Sequence, residues 1–289
     1  MPEAYRPQVV DFAAHGVTVL EGVEYGKGGD IPLLMDCFYL PSTPSPRPAI
    51  IWMHGGGFTE EQITRVSRPE KSFLALVKRG YFIASIDYRL AQIEPFPAQI
   101  QDARAAVRFL RAHAEEYGID PEHIALMGDS SGGHTVLMAS IADGFLEDTP
   151  DYPAFSSKVN CVIDFYAPTD LLARGMDARW DGIDPDRMRS FAFRADTQEG
   201  VVENLKKANP LAYISVDRPL PPILIMHGDR DPLVPFSQSE MLFEKLRETG
   251  HEVEFFKIAG AGHGIGFWID PVYKTCIGFL HAYICQKFE

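Results

Sequence analysis

Along most of the 289-residue chain, short apolar and β-branched runs alternate with stretches whose apolar positions recur at helical spacing. This alternation predicts an α/β architecture, a mostly parallel central sheet with crossover helices on both faces. Two strands open the series, "VTVLEGVEYG" and "IPLLMDCFYLP", joined by a Gly-rich turn. The segment "PSTPSPRP" (Pro41 to Pro48) has the composition of a linker. The strand "AIIWMHGG" begins directly after it, which predicts a surface loop between neighbouring strands instead. A helix around Lys71 to Arg79, the strand "YFIASIDYR" and a long helix from about Ala98 to Tyr117 follow. In that helix Ile100, Ala103, Val107, Leu110 and Ala114 form one apolar face, Gly118 marks the end, and Asp120-Pro121 opens the turn into "IALMG". A helix from Ser131, the strand "VNCVIDFYAP", "PPILIMHGDRD", a helix over Ser237 to Glu248, "EVEFFKIAGAGHG" and a final helix from about Pro271 to Lys287 complete the pattern.

One segment departs from it. From Leu171 to about Lys207 the chain is rich in Arg, Asp and Met, with Trp180, Met188, Phe191 and Phe193 set among charges. A cap or lid inserted at about 171–207 into a single domain spanning 1–289 fits better than a second domain. There is no internal repeat or low-complexity tract.

Charge and cysteines narrow the partners. With 27 Lys and Arg against 40 Asp and Glu the formal charge is −13, which repels phosphate backbones and anionic lipid. Neither nucleic acid nor a membrane is an expected partner. Cys37, Cys161, Cys276 and Cys285 lie in apolar stretches without metal-ligand spacing, so free buried thiols and no metal site are expected. The start "MPEAYRPQVVDFAAHG" lacks the basic and apolar regions of a secretory signal, and no apolar run is long enough to span a bilayer. A cytoplasmic location follows as an expectation.

The candidate chemistry sits in "IALMGDSSGGHTVLMAS" (Ile124 to Ser140), where a strand meets a helix at two adjacent serines. A nucleophile on such a strained turn needs small residues two positions before and after it, because larger ones collide. For Ser130 these are Gly128 and Gly132. For Ser131 they would be Asp129 and Gly133, so the frame selects Ser130. A Ser/Gly helix cap or a flexible turn would account for the same letters. The segment is also similar to the nucleophile stretch of chymotrypsin-like proteases, but there the histidine comes first and the fold is all β.

Three further motifs favour catalysis. "HGGGF" (His54 to Phe58) follows a strand, and glycines let backbone N–H groups approach an oxyanion closely, each such donor being worth about 3 kcal/mol. Gly56 and Gly57, with the N–H of Ser131, are the candidate donors, and His54 is read as a loop-orienting residue; a simple tight turn is the alternative. In "HGDRDPLVP", Asp231 is the candidate acid, while Asp229 is read as an Asx cap of the turn. His263, in "GAGHG", is the candidate base: it follows both Ser130 and Asp231 and lies in a loop after a strand, whereas His251 ends a helix and His281 lies within one. Phe58, Phe267 and Trp268 flank these loops and are candidate substrate contacts, although core packing would serve them equally well.

With these motifs in hand, the chain resembles the α/β-hydrolase esterases related to hormone-sensitive lipase, and among them bacterial carbohydrate esterases of the feruloyl and acetyl-xylan type. The resemblance runs from about Pro48 to the C-terminus through "HGGGF", "IDYRL", "GDSSGGH", "NPLAYI", "HGDRDPLVPFSQSEMLFEKLRETG" and "GAGHG", in order. It implies an α/β-hydrolase fold, a Ser130–Asp231–His263 triad, an oxyanion hole at Gly56, Gly57 and Ser131, and no cofactor. It further implies hydrolysis of a small-molecule or oligosaccharide ester, with homo-oligomerisation left open. Amide cleavage by the same triad, as in formamidases or prolyl-peptidase-like hydrolases, and a catalytically silent binding module are the competing readings. Two stretches depart from the pattern: "TEEQITRVS" after Phe58, more acidic than a small-residue loop, and the segment 171–207.

Overall fold

The computed structural model describes residues 10–146, 149, 151–172 and 192–285. Its centre is an eight-stranded sheet: β1 (Thr18–Gly28), β2 (Ile31–Tyr39), β3 (Arg47–Met53), β4 (Phe82–Ile86), β5 (Ile119–Asp129), β6 (Cys161–Phe165), β7 (Ile223–Gly228) and β8 (Val253–Ile258). The spatial order is β1-β2-β4-β3-β5-β6-β7-β8. From β4 across to β8 every pairing is parallel, and only the β1–β2 and β2–β4 pairings are antiparallel.

Residues along β3, β4, β6 and β7 are buried throughout, as near-continuous apolar runs in a sheet covered on both faces should be. Alternate side chains divide between two cores. Ile51 and Met53 enter one, packed by α2 (Ala98–Ala112), α4 (Ser131–Ile141), α5 (Gln198–Lys207) and α6 (Ser237–Glu248). Ile50 and Trp52 enter the other, packed by α1 (Glu70–Val77) and α7 (Asp270–Ile284). All four cysteines are buried and free.

Three expectations are refined. The Pro41–Pro48 loop does not join neighbouring strands, because β4 lies between β2 and β3: the parallel β3–α1–β4 crossover claims the place beside β3. The long helix breaks for one residue at His113, whose φ of −109° and ψ of 22° leave the helical region, and a short α3 (Ala114–Tyr117) follows. Of the expected cap, 173–191 lies outside the described residues, Trp180, Met188 and Phe191 included. Residues 198–207 form α5, begun by Thr197, whose side chain accepts the Gly200 N–H, and packed onto the core through Val201 and Leu205. The end of the final helix at Lys287 also lies outside them.

Candidate active site

Four strand ends deliver the site to one edge of the sheet. β5 ends at Asp129 and Ser130 caps α4; β3 leads into His54–Gly57; β7 leads to Asp231; β8 leads to His263.

Ser130 holds φ 52° and ψ −120°, a left-handed backbone that a non-glycine residue adopts only under constraint. The surroundings supply the constraint. A Cβ on Gly128 would stand 2.6 Å from the carbonyl of Gly132, and one on Gly132 would stand 2.6 Å from the carbonyl oxygen of His54, closer still to that of Met53. The elbow and the end of β3 are therefore in backbone contact, which is the steric demand that singled out Ser130.

The three candidate side chains meet. The Ser130 hydroxyl donates to His263 Nε2 at 2.9 Å, and His263 Nδ1–H donates to Asp231 Oδ2 at 2.7 Å. A carboxylate only accepts, so it fixes the hydrogen on Nδ1 and leaves Nε2 facing the hydroxyl. Asp231 Oδ1 accepts the backbone N–H groups of Leu233 and Val234 at 2.8 and 2.9 Å. Burial pushes this carboxyl upward in pKa, but the contacts from His227 and His263, the charge of His263 and the Val234 N–H outweigh burial and hold it well below the usual carboxylate range. Asp231 is thus the residue that closes the turn as an Asx cap. Asp229, read as that cap, instead accepts the N–H of Gly260 and ties β7's loop to the one carrying His263.

Gly55 gives its N–H to Asp129 Oδ1 at 2.8 Å, whereas no described acceptor takes the N–H of Gly56 or Gly57. Gly56 and Gly57 hold φ of 110° and 60° beside the elbow. His54 is buried with its Nδ1–H on the Gly55 carbonyl at 2.7 Å and its ring stacked on Tyr88, whose hydroxyl donates to the His54 carbonyl at 3.0 Å. Burial lowers its pKa to about 4, so it braces the loop as a neutral ring. The acidic stretch after Phe58 is anchored by Arg65, which bonds Asp36 at 2.8 Å and Asp87 at 2.6 Å.

Of the aromatic candidates, Phe58 and Phe267 are packed into the cores. Phe267 has no exposed surface and stands edge-on to Tyr166 at 4.7 Å, and Phe58 is buried edge-on to His134 at 5.5 Å. Both turn inward because the cores on the two sheet faces reach up to these loops and burying a ring there stabilises more than exposing it. Trp268 alone of the three is half-buried, against Trp52 and Tyr273.

Two participants escaped the sequence reading. Asp129, the middle letter before Ser130, bridges Gly55 N–H and, at 3.3 Å, the Tyr166 hydroxyl; burial raises its pKa to about 6 against the lowering pull of these partners and of His263. His227 lies beside Asp231 at 3.3 Å. The four-residue spacing in "HGDRD" was the available signal. Among the described residues no cluster of His, Cys, Asp or Glu could hold a metal ion, and no helix is long and apolar enough to cross a membrane.

The comparisons with known proteins return esterases. The chain is 29% identical over 247 residues to esterase LipC of Mycobacterium tuberculosis, an alignment covering 82% of this chain and 58% of LipC, so it spans little more than half the length of that relative. A truncated carbohydrate esterase from gut microbiota superposes with a TM-score of 0.77 at 27% identity, covering 92% of this chain and 95% of the other. Esterase 2 of Thermogutta terrifontis in its propionate-bound form gives a TM-score of 0.71 at 26% identity, covering 92% of each chain. The sheet is that of the α/β-hydrolase fold, and since the BD-FAE family matches residues 35–246, well over half of the sequence, the chain belongs to the BD-FAE family.

Proposed function

We propose that the protein is a serine carboxylesterase acting on short acyl esters, in particular acetyl or feruloyl esters of carbohydrates. The observation that carries the reading is the continuous hydrogen-bond chain Ser130–His263–Asp231 at 2.9 and 2.7 Å, built on a strained elbow. In the reaction, His263 Nε2 takes the hydroxyl proton as Ser130 Oγ bonds to the ester carbonyl carbon. The N–H groups of Gly56, Gly57 and Ser131 stabilise the oxyanion, and Asp231 steadies the imidazolium. His263 returns the proton to the departing alcohol, leaving Ser130 acylated. A water molecule, deprotonated by His263, then releases the acid and restores the hydroxyl.

The carbohydrate assignment is supported by the similarity to a carbohydrate esterase over nearly the whole chain, and the short acyl group by the similarity to an esterase that binds propionate. Trp268, with its partial exposure, is the remaining aromatic candidate for a substrate contact. The test is hydrolysis of p-nitrophenyl acetate by Ser130→Ala, which stays folded while kcat falls by about 10⁶. Near-full activity in a folded variant rejects the assignment. Rates on acetylated xylan, methyl ferulate and a long-chain p-nitrophenyl ester then decide the substrate, and a preference for the long chain removes the carbohydrate reading.

A further inference from the structure

We propose that His227 is a positioning residue for the triad: its Nε2–H clamps the Asp231 loop, and the Ser239 hydroxyl holds the ring in place from its other nitrogen. The inference rests on the hydrolase reading above and names a residue outside the three that reading uses.

His227, next to last in β7, has no exposed surface. Its Nε2 lies 3.1 Å from the Val234 carbonyl and 3.3 Å from Asp231 Oδ2, the oxygen that also receives His263. Its Nδ1 lies 2.7 Å from the hydroxyl of Ser239, a buried residue on α6. A carbonyl and an ionised carboxylate can only accept. A ring with a single N–H therefore carries it on Nε2, where both acceptors lie, and Nδ1 accepts the Ser239 hydroxyl hydrogen.

This arrangement holds the carboxylate from both sides. Val234 gives its N–H to Oδ1 while its carbonyl receives His227, so one residue ties the backbone of the acid loop to the end of β7. Oδ2 faces the same Nε2–H. The terminal torsion of an aspartate is soft, and an acid free to turn would let the His263 ring turn with it. The titratable groups that face the pair are His263, from the loop after β8, and Tyr166, whose ring lies 6.4 Å from that of His227 at the end of β6; Phe236 covers another side as an apolar edge.

A side chain that merely filled space would leave the reacting groups unchanged once the protein is folded, which separates the two roles. His227→Leu keeps the bulk and removes the N–H; His227→Gln keeps an N–H near the position of Nε2; Ser239→Ala removes the hydroxyl that holds Nδ1 and the ring with it. With p-nitrophenyl acetate, and rates normalised to the serines that react with a fluorophosphonate, His227→Leu lowers kcat at least about tenfold with KM little changed, and its acid limb of kcat/KM is displaced from that of the native enzyme. His227→Gln recovers most of that loss. A folded His227→Leu protein with the kcat and acid limb of the native enzyme overturns the proposal.

The low-field proton signal of His263 Nδ1–H in the unliganded protein gives a second measurement that needs no turnover. It persists in His227→Gln and moves upfield or broadens away in His227→Leu and Ser239→Ala. If His227→Leu does not fold, an unshifted signal in Ser239→Ala overturns the proposal. If the native protein is inert on every ester yet its signal responds to these variants, the hydrolase reading falls and the positioning role stands.

Discussion

Asp164 lies on β6 directly beneath the nucleophile helix, fully buried, with Oδ1 accepting the Ala167 N–H at 3.0 Å and Oδ2 facing no described partner. Burial without a compensating cation raises its pKa to about 8, so the folded protein keeps a proton there that the unfolded chain, with an ordinary Asp near 3.9, has already lost. A group whose folded pKa is raised contributes stability that is present below the unfolded pKa and lost as pH rises towards the folded one. Between pH 4 and 6.5 other groups complicate the slope. Asp129, raised to about 6, acts in the same direction, while His54 and His134, both lowered to about 4 by burial, act in the opposite one, because the unfolded chain protonates them first. Above pH 6.5 Asp129 adds little, the two histidines still lose protons from the unfolded chain, and Asp164 is the largest contributor. Raising the pH from 6.5 to 7.5 should then cost the native protein about 0.6 kcal/mol: about 1.2 from Asp164 and about 0.1 from Asp129, less about 0.7 regained as the two histidines deprotonate in the unfolded chain. Asp164→Asn is isosteric with the neutral acid and cannot ionise, so its stability should instead rise by about 0.6 kcal/mol over that interval. Urea denaturation followed by tryptophan fluorescence at the two pH values measures both proteins. A native protein as stable at pH 7.5 as at 6.5, or a variant that keeps the same decline, would refute the reasoning.

Other outcomes follow from the same contacts. Gly132→Ala drives a methyl group against the backbone at the end of β3, so it should lower stability by about 1–3 kcal/mol, seen as a fall in Tm, and cut kcat by parting the elbow from the oxyanion loop. Gly278→Ala, on α7 with open space around the new methyl, should instead raise stability by roughly 0.5–1 kcal/mol and leave activity alone; a loss of stability there would contradict the packing described. Asp231→Asn lets His263 adopt the other tautomer and should lower kcat on p-nitrophenyl acetate by about 10⁴ while folding is retained, whereas a loss under tenfold would remove Asp231 from the triad.

Ser130 was legible because the requirement that selects it is local: small residues two positions away on either side, in a turn whose backbone collides with anything larger. His263 was legible from chain order and its place after the last strand. Asp129 was not, since its role depends on which strand ends come to lie side by side, and His227 was overlooked although its four-residue spacing from Asp231 was there to read, because only its burial shows that the ring faces the carboxylate. The inward turn of Phe58 and Phe267 was equally invisible, because an aromatic ring beside a glycine loop reads the same whether it faces a ligand or the core.

The sequence by itself determined the alternation of elements, the elbow and its serine, because periodicity and steric exclusion act between residues close in the chain. Only the tertiary structure decided the strand order that slips β4 between β2 and β3, and the meeting of Ser130 with a histidine 133 residues away. Burying both faces of the sheet is what draws those strand ends together, and that free energy belongs to the whole fold rather than to any segment.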